Sequence, residues 1–158
     1  MEGKVFHITK EKMKELKKEY EELVVSERDK VVGVEAPKIL ESEDVNPEFI
    51  SFQEDMEKLR SRIDELKDIL ENHQLIKKPP KEKQVFVDLG AKVKIDVAGK
   101  KDEFTIMGTL EANPNLGKIS NESPVGRALL GHKIGDEVVV FSPHKKVYKI
   151  RDIKYEVG

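Results

Sequence analysis

The stretch Pro47-Glu48-Phe49-Ile50-Ser51-Phe52-Gln53-Glu54-Asp55-Met56-Glu57-Lys58-Leu59-Arg60-Ser61-Arg62-Ile63-Asp64-Glu65-Leu66-Lys67-Asp68-Ile69-Leu70 decides the architecture of the first half of the chain. Within it Phe49, Phe52, Met56, Leu59, Ile63, Leu66 and Leu70 follow one another at intervals of 3, 4, 3, 4, 3 and 4. That spacing lines apolar side chains along one seam of an α-helix, the heptad pattern that packs against a second helix. The intervening positions are mostly charged, as a solvated outer face requires. Pro47 suits the first helical turn, where its missing N–H costs nothing, and Asn46 is a good N-cap. A helix is predicted from about Pro47 to about Asn72.

Upstream, Met13, Leu16, Tyr20 and Leu23 repeat the 3-4-3 spacing, with Thr9 placed to cap the start. The apolar register falters across Ser26-Glu27-Arg28-Asp29-Lys30 and resumes, shifted, at Val31 and Val34. The expectation is a stutter, a local change of supercoil. Gly33 and Pro37 weaken the end of a helix predicted from about Lys10 to about Lys38. Two amphipathic helices joined by a short connection bury their seams as an antiparallel hairpin. At 1.5 Å per residue the second helix is a rod of roughly 39 Å.

Downstream, Lys77-Lys78-Pro79-Pro80-Lys81-Glu82-Lys83 reads as a linker, because Pro-Pro ends a helix. The period then becomes two. Val85, Val87 and Leu89, then Val93, Ile95 and Val97, alternate with polar residues. Ala98-Gly99-Lys100-Lys101-Asp102 is a hairpin-turn candidate. Strands are also expected through Phe104 and Ile106, from Val138 to Phe141 and from Val147 to Ile153, with one short helix near Ser123 to Leu130. The fold class is therefore α+β. Its domains are a helical hairpin at residues 1–78, a linker at 79–83 and an antiparallel β-rich domain at 84–158.

Charge supports the division. Residues 1–78 hold 15 Lys/Arg against 20 Asp/Glu, and residues 79–158 hold 14 against 11. The whole chain of 158 residues is 38% charged, which suits long solvated helices, and its net charge of −2 argues against a general polyanion binder. The absence of cysteine excludes disulfides, zinc-thiolate sites and thiol nucleophiles. No apolar run approaches the roughly 18 residues that span a bilayer. Met1 to Thr9 lacks the apolar stretch of a signal peptide. A soluble intracellular (cytoplasmic) protein with no membrane partner is expected.

The turn between the helices carries the chemistry worth weighing. Residues 35–57 contain eight acids and one base, Lys38, and Glu41, Glu43, Asp44 and Glu48 crowd the turn at about 41–48. One reading is a solvated turn whose acids favour a helix N-terminus. The other is half of a hard-cation site, since carboxylates suit Mg²⁺, which keeps waters and takes few protein ligands. Charge alone leaves both open. The spacing is not that of an EF-hand. His7, His73, His132 and His144 are scattered without ligand spacing, Ser123 has no local base, and the glycines form no phosphate-binding loop. Lys58, Arg60 and Arg62 suit either RNA phosphate contacts or a solvated face paired with Glu57, Asp64 and Glu65. No self-contained active site is evident, so the chain is expected not to be an enzyme.

The segment from Gly117 to Val138, with Ile119-Ser120, Ser123-Pro124, Ala128-Leu129, Gly131, Gly135-Asp136 and Val138 in fixed spacing, resembles the C-terminal signature of the Gre transcription elongation factors. Ile8-Thr9-Lys10-Glu11, Asn46-Pro47-Glu48-Phe49 and Arg62-Ile63-Asp64-Glu65-Leu66 resemble further family segments, so the likeness covers nearly the whole chain. The resemblance implies an FK506-binding-protein-like C-terminal domain that docks at the rim of the secondary channel of bacterial RNA polymerase. It assigns Ser123 and Pro124 to polymerase contact, a role that competes with a plain helix cap at the same residues. It also implies that the coiled-coil hairpin enters the channel. There the acidic tip helps hold Mg²⁺ jointly with the polymerase, and backtracked RNA is cleaved near its 3′ end. Such a factor is expected to act as a monomer.

The tip departs from the family's D-L-S-E-N. Aligned back from Asn46, Ser42 stands at the Asp and Val45 at the Glu; counted forward from Thr9, Glu43 and Asn46 stand there. Glu41, Glu43 and Asp44 are the candidate catalytic residues, with Glu43 and Asp44 as metal ligands. The alternative is a channel-binding regulator or inhibitor that stimulates no cleavage. A prolyl isomerase, suggested by the implied C-terminal fold, is disfavoured because aromatic residues make up only 6% of the chain.

Overall fold

Heptad spacing becomes helix at both predicted places. The structure is a computed structural model that describes residues 4–32, 47–141 and 143–156. Helix α1 spans Lys10–Val32 and helix α2 spans Pro47–Glu71. The chain divides into two compact units, one of Met13–Asn72 and one of Met1–Lys12 with His73–Gly158. The first twelve residues, assigned to the hairpin from the sequence, thus group with the C-terminal unit.

In the helical unit every residue of the α2 seam is buried or half-buried, with Met56 at 5% exposure and Leu66 at 0%, while its charged residues face solvent except for half-buried Arg62. Ion pairs between the helices run in antiparallel order. Arg62 donates two hydrogen bonds to Glu19, at 2.8 and 3.0 Å, and Arg60 lies 3.4 Å from Glu27. Glu65 also pairs with Arg62 at 3.2 Å. Glu65 is a partner expected from the sequence, whereas Glu19 and Glu27 come from α1 and could not be read from the local sequence of α2. The Glu19 hydrogen bond raises the Arg62 pKa.

Among the described residues the predicted stutter in α1 is absent. The 3-4-3 seam continues unbroken from Leu23 to Glu27 and Lys30, both half-buried, whereas Val31 is 57% exposed. Polar side chains occupy seam positions here, so hydropathy lost the register while the helix kept it. Val34 lies outside the described residues.

The second unit is built on a five-stranded sheet. Strand β1 is Phe6–Ile8 and β2 is His73–Leu75. The sheet strands are β3 (Ala91–Val97), β4 (Lys100–Met107), β5 (Lys118–Ser120), β6 (Glu137–Phe141) and β7 (Lys145–Tyr155), in the order β5-β4-β3-β7-β6. All neighbours are antiparallel except β4 and β5, which run parallel. Val97 and Lys100 close the β3–β4 hairpin across Ala98 and Gly99, both at positive φ (50° and 80°), the two-residue turn that matches strand twist. Period-two alternation places Val93, Ile95, Ile106, Val138, Val140, Tyr148 and Ile150 on one face, where helix α3 (Pro124–Leu129) contributes Leu129 to the core.

Val85, Val87 and Leu89 form no strand, contrary to the expectation from their alternation. Val87 is buried, but its N–H donates to the His132 carbonyl at 2.8 Å and its carbonyl accepts from Gly131 at 2.9 Å. Phe86 and Lys133 make only an isolated bridge. Here the chain is a loop that puts Val87 in the core and packs Leu89 against it, while Val85 stays exposed. Tyr155 donates from its hydroxyl to the Phe86 carbonyl at 2.5 Å, and burial pushes its pKa up to about 12.

The N-terminal segment is tied to this unit by contacts far apart in sequence. β1 pairs in parallel with β2. Thr9 donates from its N–H (2.8 Å) and its hydroxyl (2.6 Å) to the Glu111 carboxylate, while its hydroxyl accepts from the Lys12 N–H at 3.2 Å to cap α1. A Cβ on Gly108 would lie 1.9 Å from the His7 carbonyl oxygen, so only glycine lets the segment approach. Among the described residues no helix is long and apolar enough to cross a membrane.

Candidate functional site

Ser120 ends β5, and the chain turns sharply through Asn121 and Glu122 into α3. The Ser120 hydroxyl accepts from the Glu122 N–H at 3.0 Å, and Asn121 donates its N–H to the Met107 carbonyl at 2.9 Å. Ser123 is the N-cap of α3. Its Oγ accepts from the Gly126 N–H at 3.1 Å and donates to the Ser120 carbonyl at 2.6 Å. Pro124 occupies the first turn of the helix and is exposed. A Cβ on Gly126 would lie 2.1 Å from the Ser120 carbonyl oxygen, so the turn closes only over a glycine. Lys4 reaches Glu122 from the N-terminal segment at 3.4 Å.

Ser123 and Pro124 are therefore adjacent in one rigid turn but differ in availability. The serine hydroxyl is committed to the turn on both its donor and acceptor sides. Pro124, Glu122 and Arg127 present exposed surface beside it. Ser120 was marked in the sequence only as a member of the spaced signature, and Gly126 falls at one of its unspecified positions, so the sequence assigned neither a role in the turn.

The acidic candidates Glu41, Glu43 and Asp44 lie outside the described residues. What is described is the pair of helix ends that residues 33–46 connect. The described part of α1 runs to Val32 and that of α2 begins at Pro47, with Glu48 in its first turn. Near those ends Lys30, Val31, Phe49, Phe52, Gln53 and Met56 line a cleft of about 420 Å³. Among the described residues no three His, Asp or Glu side chains converge as a metal site.

The description "Transcription elongation factor, GreA/GreB, C-term" matches residues 81–155 of this chain. The transcription elongation factor GreA of Thermomicrobium roseum is 37% identical over 139 residues, which cover 87% of this chain and 88% of that protein. This chain belongs to the GreA/GreB family of transcription elongation factors. The GreA of Mycoplasma genitalium is 38% identical over 139 residues, covering 83% of this chain and 84% of its own. The solved structure of GreA factor homolog 1 (Gfh1) of Thermus thermophilus aligns with a TM-score of 0.42 and 21% identity, over 96% of this chain and 99% of that one.

With the GreA/GreB family in place, its C-terminal signature resolves into mostly architectural parts. Ile119, Ala128 and Leu129 pack in the core, Val138 is buried, and Ser120 and Ser123 build the turn. The Asp136 carboxylate accepts from the Lys133 N–H at 3.0 Å, which holds its pKa below the usual range, with His132 at 3.2 Å adding to the effect. Pro124 is exposed, as are the signature glycines Gly131 and Gly135.

Proposed function

We propose that this chain is an accessory factor of bacterial RNA polymerase that stimulates cleavage of backtracked RNA, with the β-rich unit docking and the helical arm delivering carboxylates. The observation that carries the reading is the braced antiparallel hairpin. α2 alone is roughly 37 Å long. Its pairing with α1 is fixed by the Glu19–Arg62 and Glu27–Arg60 bridges. The Glu41, Glu43 and Asp44 sequence lies in the connection between the two helix ends. Carboxylates so placed are hard oxygen donors of the kind Mg²⁺ takes, a ligand set that a polymerase's own carboxylates would complete. Bound there, Mg²⁺ supplies charge stabilisation for the attacking and leaving oxygens of phosphoryl displacement. In this reading Glu43 and Asp44 hold and orient, Glu41 is a second source of negative charge, and Pro124 contacts the channel rim from the turn that Ser123 shapes.

The test is a stalled, backtracked elongation complex incubated with the protein and Mg²⁺. Shortened RNA with released 3′ fragments is expected. The double substitution Glu43→Ala/Asp44→Ala should slow release by about 100-fold, in line with loss of one charge-stabilising group or more. The departure of Ser42-Glu43-Asp44-Val45-Asn46 from the family's tip favours one rival, a channel regulator without cleavage. That rival gives altered nucleotide addition and no fragments. Prolyl isomerase chemistry gains no support from the sheet, where Phe104 and Tyr148 pair within the core at 6.4 Å between ring centroids.

A further inference from the structure

The face of the sheet opposite the core has a composition that the docking turn and the helical arm do not use. Register puts Lys92, Lys94 and Asp96 of β3 opposite Thr105, Glu103 and Lys101 of β4 on this face. Across β3 they oppose Lys154, Asp152 and Lys149 of β7, with Arg151 as the extra residue where the register shifts. On the edge strand β6, Glu137, Val139 and Phe141 oppose Lys149, Val147 and Lys145. The face of these four strands thus carries seven cations (Lys92, Lys94, Lys101, Lys145, Lys149, Arg151 and Lys154) against four acids (Asp96, Glu103, Glu137 and Asp152).

Two of those acids are already engaged. Arg151 binds Asp96, and Lys92 lies 3.5 Å from Glu103 and 3.6 Å from Glu156. Among the described residues Lys94, Lys101 and Lys149 form no ion pair, and all three are exposed. Lys94, Lys101 and Arg151 share the wall of a cleft of about 590 Å³ with Asp96, Asp102 and Glu103. At the β6 edge Phe141 is 70% exposed, an aromatic ring beside the lysine rows.

We propose that this face binds single-stranded nucleic acid through its phosphates, with Phe141 as a stacking platform. Rows of lysines on neighbouring strands, about 5 Å apart, can follow a flexible phosphate backbone. A duplex is a poorer fit, because reading its grooves needs a protruding helix or ribbon. An acidic protein segment is a poorer fit too. The apolar residues Val139, Phe141 and Val147 sit at one corner, while the cations extend across β3, β4 and β7. The assignment rests on the sheet alone and stands whether or not the chain stimulates cleavage.

The experiment uses the full chain and a fluorescein-labelled RNA of about 12 nucleotides, with anisotropy read at about 50 mM and about 200 mM salt. Binding that weakens with salt is expected. The variant Lys94→Glu/Lys101→Glu/Lys149→Glu should bind at least about tenfold more weakly, with a salt slope shallower by about 2. Phe141→Ala should bind about fivefold more weakly. Lys14→Glu/Lys17→Glu/Lys18→Glu, with the same charge change on exposed positions of α1, should stay within about twofold of the parent. Circular dichroism confirms that each variant is folded. No binding by the parent at low salt, an equal loss in the α1 variant, or tighter binding of a blunt duplex of the same length overturns the proposal.

Discussion

Ser123 illustrates how one residue answers two readings of a motif. Its hydroxyl is engaged on both sides, accepting from Gly126 and donating to Ser120, so what it does in this structure is shape the turn. Ser123→Ala is expected to lower stability by about 1 kcal/mol, as loss of an N-cap does, measured by denaturant midpoint. Pro124→Ala, at an exposed position, should leave that midpoint nearly unchanged while weakening polymerase binding in a pull-down titration. Tyr155 supplies a pH test. Its folded pKa is raised to about 12 from an unfolded value of about 10. The neutral phenol is therefore favoured by folding, and its contribution is complete below about pH 10 and lost as pH rises from there through about 12. Urea midpoints should fall across that window in the parent and fall less in Tyr155→Phe.

At the scale of the element, α1 shows why hydropathy and register part company. Glu27 and Lys30 hold seam positions in the same heptad as Leu16 and Leu23, yet their polarity reads from sequence as a break. Their half-burial beside Phe49, Phe52 and Arg60 shows the helix to be regular. Lys30→Leu is expected to raise hairpin stability by about 1 kcal/mol, since half the burial of a leucine is gained there. A thermal melt followed at the helical signal checks this. Leu66→Ala, at 0% exposure, should cost about 2–5 kcal/mol by the same measurement. α2 was legible almost to the residue because its seam is wholly apolar.

Across the whole molecule, residues remote in sequence set the limits of each unit. Glu111 takes two hydrogen bonds from Thr9, 102 positions away, and β1 pairs with β2 across the whole of the helical unit's sequence. Glu111→Ala should cost about 2 kcal/mol, because a charged acceptor is removed from two donors. Hydrogen exchange should then speed up at the Thr9 amide and at Ile76, whose N–H donates to the Ile8 carbonyl at 2.8 Å.

Periodicity and capping are local, so the chain's own order of residues was enough to set the two helices, the β3–β4 turn, the α3 cap and membership signals spread over the C-terminal half. The acidic cluster at Glu41, Glu43 and Asp44 is likewise a property of sequence alone. Pairing between distant short segments carries no local pattern. Only the tertiary structure therefore decided that Phe6–Ile8 joins His73–Leu75, that β5 lies parallel to β4, and that Val85 to Leu89 turns as a loop. It alone also showed that lysines of three strands, β3, β4 and β7, share one face. Strand partners are chosen by burial and hydrogen bonding summed over the whole fold, a sum that no stretch of adjacent residues contains.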